Sequence, residues 1–297
     1  MRIRNIVTLA VAVVALTACG PFLARPDVPT PQRYLDQVFT NVTKTADISY
    51  GSAPDNNGNP VDLRLDLYQP AGDNVAARPA IIWIHGGSFS GGSKSDGYIV
   101  DLATDSAERG YVAVSLDYRL LAPPGCGGND TPPPGCNTAS LGAQQDAEAA
   151  IRFLRLHAAD YRIDPDRIAI AGASAGAIVS DLVALFSENV GSSGNPGPAS
   201  NADAAVGISG GLPIGTTAAL AGPGDAPILE FHGTADDVVP YAWATDMVQA
   251  AQAAGVTAEL ETLLNAGHVP YVQWNAVFKQ QTAYFLYQQM DLAHAAS

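Results

Sequence analysis

"IAIAGASAGA", residues 168–177, is an apolar run that stops in small residues, with Ser174 flanked by Gly172 and Gly176. As a pattern, Gly172-Ala173-Ser174-Ala175-Gly176 is G-x-S-x-G. "RIAIAG" (167–172) reads as a strand buried on both faces and "AIVSDLVALF" (177–186) as an apolar helix, so Ser174 falls on a strand–turn–helix junction. A junction of this kind either packs small residues or lifts a nucleophile above the end of a sheet. Side chains at 172 and 176 would meet the neighbouring strand and helix, which is the steric reason for glycine at both positions.

The same alternation continues on both sides of this junction. "VDLRLDLYQP" (61–70) places Leu63, Leu65 and Leu67 on one face, the period of a half-buried strand. "PAIIWIH" (79–85), "YVAVSLDY" (111–118), "AAVGISG" (204–210) and "APILEFHG" (226–233) are continuous apolar strands, and the mixed polarity of "TAELETLL" (257–264) suits a sheet edge. Helical periodicity over 143–161 aligns Ala147, Ala150, Ile151, Leu154, Ala158 and Tyr161, with Arg152 and Arg155 outward. A second helix spans 241–254, with Gly255 as its C-terminal cap. Strand–helix alternation of this kind predicts an α/β class domain: a mostly parallel central sheet with helices on both faces. Ligands in such sheets bind at the carboxyl ends of the strands. Residues 177–226 contain no long apolar lid helix and are rich in Gly, Ala, Ser and Pro, which implies a small cap and an open site.

A serine hydroxyl needs a base to take its proton, and the base needs an orienting group. Of five histidines, His157 and His294 read as solvated, while His85 and His232 end strands just before glycine. His268, in "NAGHVPY" (265–271), follows the last strand and is the best candidate base. The loop "HGTADDVVP" (232–240) offers Asp236 and Asp237, each also able to cap the next helix. The order Ser174, acid, His268 is that of an α/β-hydrolase triad.

These residues resemble the α/β-hydrolase superfamily, especially esterases of its hormone-sensitive-lipase, type-B carboxylesterase and feruloyl-esterase-like branches. The resemblance covers about residues 60–275 and rests on "IHGGSF" (84–89), "DYRL" (117–120), "DPDRIAIAGASAG" (164–176), "HGTADDVVP" and "AGH" (266–268). It implies the α/β-hydrolase fold and a catalytic triad of Ser174, Asp236 and His268. The family's acid motif, H-G-x-x-D-x-x-V-P, selects Asp236 over Asp237. It also implies an oxyanion hole made by the N–H groups of Gly87, Ser88 and Ala175, with His85 bracing the loop. Such an enzyme hydrolyses small carboxylic esters through an acyl-enzyme, with no metal or cofactor. Two departures blur the branch: Ala173 stands where relatives often carry an acid, and Ser88 where many carry a third glycine.

The N-terminus reads separately. Arg2 and Arg4 precede an apolar segment too short to span a bilayer as a helix, the form of a signal peptide over 1–18. "LTAC" (16–19) resembles the bacterial lipobox, which implies a diacylated Cys19 as the mature N-terminus. Residues 19–40 would then be a lipidated end with a Pro-rich tether, and 41–297 the catalytic domain. The lipid bilayer becomes a partner and the location extracytoplasmic, on the periplasmic face or the cell surface. Removing 1–18 takes away two of 15 basic residues and none of 29 acids, leaving 13 against 29 and a net charge near −16. So acidic a surface repels phosphate backbones and argues against nucleic acid as a partner. Cys126 and Cys136 bracket a Pro/Gly-rich insertion and read as one disulfide rather than a metal site. Two rivals share these features: a serine peptidase of the prolyl-oligopeptidase kind, and a non-catalytic binding protein on a hydrolase fold.

Overall fold

A computed structural model describes residues 22–123, 126, 135–188 and 190–295. The signal peptide and Cys19 lie outside the described residues, as does most of the 124–137 insertion. Cys126 and Cys136 are joined by a disulfide.

In chain order the elements are β1 (Val42–Pro54), β2 (Pro60–Pro70), β3 (Arg78–Ile84), α1 (Gly97–Glu108), β4 (Val112–Leu116), α2 (Cys136–Leu156), α3 (Ala158–Tyr161) and β5 (Ile163–Ala173). There follow α4 (Ala175–Phe186), β6 (Ala204–Ile208), α5 (Thr216–Leu220), β7 (Ile228–Gly233), α6 (Tyr241–Ala253), β8 (Ala258–Leu263) and α7 (Tyr271–Gln289). The strands form one sheet in the order β1-β2-β4-β3-β5-β6-β7-β8. β1 and β2 pair antiparallel, as do β2 and β4, and every later pairing is parallel.

Alternation along the buried strands sorts their side chains onto two faces. Ile82, Ile84, Val114, Ile168 and Ile170 face α2, α4 and α6. On the opposite face, the small side chains of Ala169, Ala171 and Ala173 leave room for Trp83 and for Trp274, Phe278 and Phe285 of α7. Burying each large apolar side chain of this kind is worth about 1.5–3 kcal/mol. β8 closes the sheet as an edge strand, as its mixed polarity implied.

Three features depart from the sequence reading. β1 precedes the first expected strand; most of its residues are exposed, so no apolar alternation marked it. Arg152 is buried, not outward: its guanidinium donates to the carbonyls of Val190, Gly194 and Asn195 and ties the loop after α4 to α2. The Pro-rich stretch expected to be a tether lies against the domain from Phe22 onward. Phe22, Leu23 and Val28 pack on the α7 side of the core, Arg25 pairs with Asp36 at 2.8 Å, and Tyr34 and Leu35 are buried.

Candidate active site

Ser174 stands between the end of β5 and the start of α4, with φ 55° and ψ −121°. A non-glycine residue there carries about 1–3 kcal/mol of strain, so its surroundings must impose the conformation. Its N–H donates to Ile208 O at 2.8 Å, and its carbonyl accepts the Ile178 N–H at 3.0 Å. The flanking glycines let strand and helix close on each other. A Cβ on Gly172 would lie 2.3 Å from the Gly176 carbonyl, and one on Gly176 would lie 2.2 Å from Ile84 O. The turn leaves Ser174 8% exposed at the carboxyl end of the sheet.

The loops after β7 and β8 bring the expected partners to it. His268 Nε2 lies 2.8 Å from Ser174 Oγ, and His268 Nδ1 lies 2.8 Å from Asp236 Oδ2 and 3.1 Å from Oδ1. Asp236 Oδ1 accepts the N–H groups of Val238 and Val239, both at 2.9 Å. Buried His232 approaches Asp236 Oδ2 with its Nε2 at 3.3 Å. Burial pushes the Asp236 carboxyl upward, but hydrogen bonds from His232, His268, Val238 and Val239 outweigh it. The carboxyl is held far below the usual carboxylate range and stays charged. Asp237 makes none of these contacts; the chain turns so that Asp236 alone faces the histidine.

The loop after β3 forms the opposite wall. A Cβ on Gly86 would lie 3.1 Å from Ser174 Cβ, so the backbone runs directly beside the serine. Gly87, Ser88 and Phe89 all have positive φ, at 111°, 54° and 59°, which turns this backbone back on itself. Ser90 and Gly91 both donate to Gly87 O at 3.0 Å and lock the turn. Gly86 N–H is taken by Tyr98 Oη at 2.8 Å, whereas among the described residues no acceptor takes the N–H groups of Gly87 or Ser88. Ala175 N–H is in the first turn of α4, where helix N–H groups have no intrahelical acceptor. His85 is 1% exposed, stacked on Tyr118 with ring centroids 4.4 Å apart, and contacts Gly86 O through Nδ1 at 2.6 Å. It braces the loop from behind, and burial lowers its pKa.

Several residues around the site were not singled out from the sequence. Ser209, after β6, accepts the Val269 N–H at 3.0 Å, next to His268. Behind it, Glu230 accepts the Gly210 N–H at 2.7 Å and Asp181 the Gly211 N–H at 2.8 Å, both carboxyls fully buried. Burial pushes the Asp181 carboxyl up to about 7. Burial, with the Asp181 charge beside it, raises Glu230 well above the usual range. Gly207 makes space for this acid: a Cβ there would fall 1.7 Å from Glu230 Oε2. The available signal was an acid within each of two apolar runs, "ILEFHG" and "AIVSDLVALF".

The chain is similar to several known proteins. The BD-FAE family model matches residues 65–206, and that of the prolyl oligopeptidase family matches residues 214–292. A probable carboxylic ester hydrolase of Mycobacterium tuberculosis is 31% identical over 157 residues, 53% of this chain and 32% of that protein. Lipase 1 of Geotrichum candidum is 32% identical over 136 residues, 43% of this chain and 23% of its own length. The match therefore spans a third or less of either relative's length. Among solved structures, an esterase of the planctomycete Thermogutta terrifontis superposes with a TM-score of 0.65 at 24% identity, covering 84% of this chain and 93% of that one. A truncated carbohydrate esterase from gut microbiota superposes with a TM-score of 0.66 at 21% identity, covering 88% of this chain and 100% of its own. With the eight-stranded order β1-β2-β4-β3-β5-β6-β7-β8 and these matches, the chain has the α/β-hydrolase fold.

Proposed function

We propose that this protein is a serine hydrolase of carboxylic esters, using Ser174, His268 and Asp236. The observation that carries this reading is the hydrogen-bonded relay Ser174 Oγ–His268–Asp236 beside the Gly-rich loop. His268 Nε2 takes the serine proton as Oγ attacks the ester carbonyl. Asp236, charged at neutral pH, accepts a hydrogen bond from His268 Nδ1–H and stabilises the imidazolium. The N–H groups of Gly87, Ser88 and Ala175 receive the oxyanion; one such donor is worth roughly 3 kcal/mol in the transition state. The intermediate collapses, His268 returns its proton to the departing alcohol, and Ser174 is left acylated. Water, deprotonated by His268, attacks the acyl carbon, and His268 returns that proton to Ser174 Oγ as the acid leaves.

The substrates are short- to medium-chain esters. Supporting this, the only cap element between α4 and β7 among the described residues is the five-residue helix α5, with no long lid over the serine. The chain is exported and anchored through an acylated Cys19, a reading supported by the lipobox-like "LTAC" and by a disulfide suited to an oxidising compartment. The test is hydrolysis of a p-nitrophenyl ester series from acetate to palmitate by the wild type and Ser174→Ala. The expected result is activity greatest at short to medium chains and abolished in the variant. Retained hydrolysis in Ser174→Ala refutes the mechanism. The match of residues 214–292 to the prolyl oligopeptidase family favours peptide-bond cleavage as a second reading, and p-nitroanilide substrates in the same assay distinguish it.

A further inference from the structure

The path of the N-terminal segment has a direction. Phe22 lies against Trp274 in the first turn of α7, with ring centroids 6.4 Å apart. Leu23 then meets Gln281, whose Nε2 donates to Leu23 O at 3.4 Å, and Glu261 of β8 lies against its backbone. Arg25 follows beside Tyr284 and pairs with Asp36. From 22 to 25 the chain therefore descends along α7 from its first turn toward its last.

The two ends of α7 are unambiguous. Its first residue, Tyr271, comes three positions after His268. Met290, at its far end, accepts from Arg167 at the start of β5, the end of the sheet opposite Ser174. Phe22, the first described residue, thus lies at the end of the domain that carries the serine and histidine. Cys19 is three residues earlier, and three residues reach at most about 11 Å.

The same end displays apolar side chains. Val272, in the first turn of α7, is 85% exposed, the highest value among the large apolar side chains of the described residues. Ile214, in the loop after β6, and Leu264, just past β8, are also exposed at the carboxyl ends of their strands. Leu156, at the C-terminal end of α2 and the opposite end of the domain, is 53% exposed.

We propose that the end of the domain bearing Ser174 and His268 rests on the phospholipid bilayer that holds Cys19, with Val272 at the contact. The inference rests on the lipoprotein reading of Cys19 and adds an orientation that the motif does not contain. A flexible tether would leave the site free to face any direction; a docked segment with about 11 Å of slack does not. Two or three acyl chains hold such a protein stably. The strongly acidic surface is repelled by anionic headgroups, so the apolar rim rests at the interface without deep insertion. Esters that partition into the headgroup region then meet the serine directly from the lipid surface.

The test uses the full-length chain, processed in a bacterial host and reconstituted in palmitoyl-oleoyl phosphatidylcholine vesicles. With Cys19 acylated and Cys126 bonded to Cys136, Val272→Cys or Leu156→Cys supplies the single free thiol for an environment-sensitive fluorophore. The expected result is a blue shift at 272 with loss of emission when spin-labelled phospholipid is included, and neither change at 156. Equal quenching at both positions, or none at 272, overturns the orientation. An unmodified Cys19 in the N-terminal peptide mass overturns the anchor and the orientation together. Hydrolysis of p-nitrophenyl butyrate by the same samples is scored separately. Activity without quenching at 272 refutes the orientation alone, and quenching without activity refutes the ester-hydrolase reading alone.

Discussion

Ser209 Oγ accepts the N–H of Val269, the residue after His268, at 3.0 Å. Both residues hold positive φ, 57° and 42°, and for β-branched Val269 that is a strained conformation. Ser209 is itself fixed by its N–H to Phe231 O at 2.7 Å. The end of β6 thus grips the loop that presents the histidine. Ser209→Ala leaves the Val269 N–H without this acceptor, a loss of about 0.5–1.5 kcal/mol. The expected outcome is a severalfold fall in kcat for p-nitrophenyl butyrate with KM little changed. Restoration by Ser209→Thr, which keeps the acceptor oxygen, distinguishes loop positioning from a general packing defect.

Asp236 and Asp237 are adjacent acids with unlike surroundings. Asp236→Asn keeps the shape but loses the charge that His268 and two backbone N–H groups are arranged around. In a serine protease the equivalent change lowers kcat by about 10⁴. A fall of that order is expected here, against a change within about twofold for Asp237→Asn, which sits outside the relay. Steady-state kinetics on both variants checks it. Comparable losses in the two would show that the acid has been misassigned.

The buried acids Asp181 and Glu230 predict a direction for stability against pH. Their carboxyls hold protons in the folded chain at pH values where the unfolded chain, titrating near 4, has released them. Between about 4 and about 7 the folded state binds more protons, so this pair's contribution to stability falls as pH rises. Asp181→Asn keeps an acceptor for the Gly211 N–H and removes one titration. Thermal melts at pH 5 and pH 8 should show a smaller drop in Tm for the variant than for the wild type. An equal or larger drop would place the pH dependence elsewhere.

Gly176 tolerates no side chain. A Cβ there would lie 2.2 Å from Ile84 O and 2.8 Å from His85 O, and these are backbone atoms that cannot rotate aside. Gly176→Ala is expected to destabilise the fold by about 1–3 kcal/mol or more. It should also displace the loop after β3, so activity should fall further than at Gly97, where a Cβ meets nothing within 4 Å. Denaturant unfolding and turnover measured on Gly176→Ala and Gly97→Ala provide the comparison.

Local chemistry was legible in the chain wherever it has a short-range cause. The strand–turn–helix around Ser174, the apolar runs of β3 to β7 and the edge character of β8 follow from periodicity and residue size. Ser174, His268 and the pair Asp236 and Asp237 could be named because each sits in a loop at a strand end, in a recognisable order, and only the resemblance to the H-G-x-x-D-x-x-V-P motif preferred Asp236. β1 escaped notice because its outward face carries no apolar alternation. Arg152 was misplaced because helical periodicity cannot reveal a distant loop, residues 190–195, laid over an outer position.

Other features arise where segments far apart in sequence meet. Residues 174 and 268 are 94 positions apart, and only the parallel packing of β5 through β8 brings their side chains to 2.8 Å. The grip of Ser209 on Val269, the Gly207 space filled by Glu230, and the descent of residues 22–25 along α7 are likewise products of close packing. Composition and motif specified which groups the chain carries and the local bend that strains Ser174. Which of two adjacent aspartates faces His268, and at which end of the domain Phe22 lies, depended on how the sheet's helices and loops pack, because those distances are properties of neighbours in space.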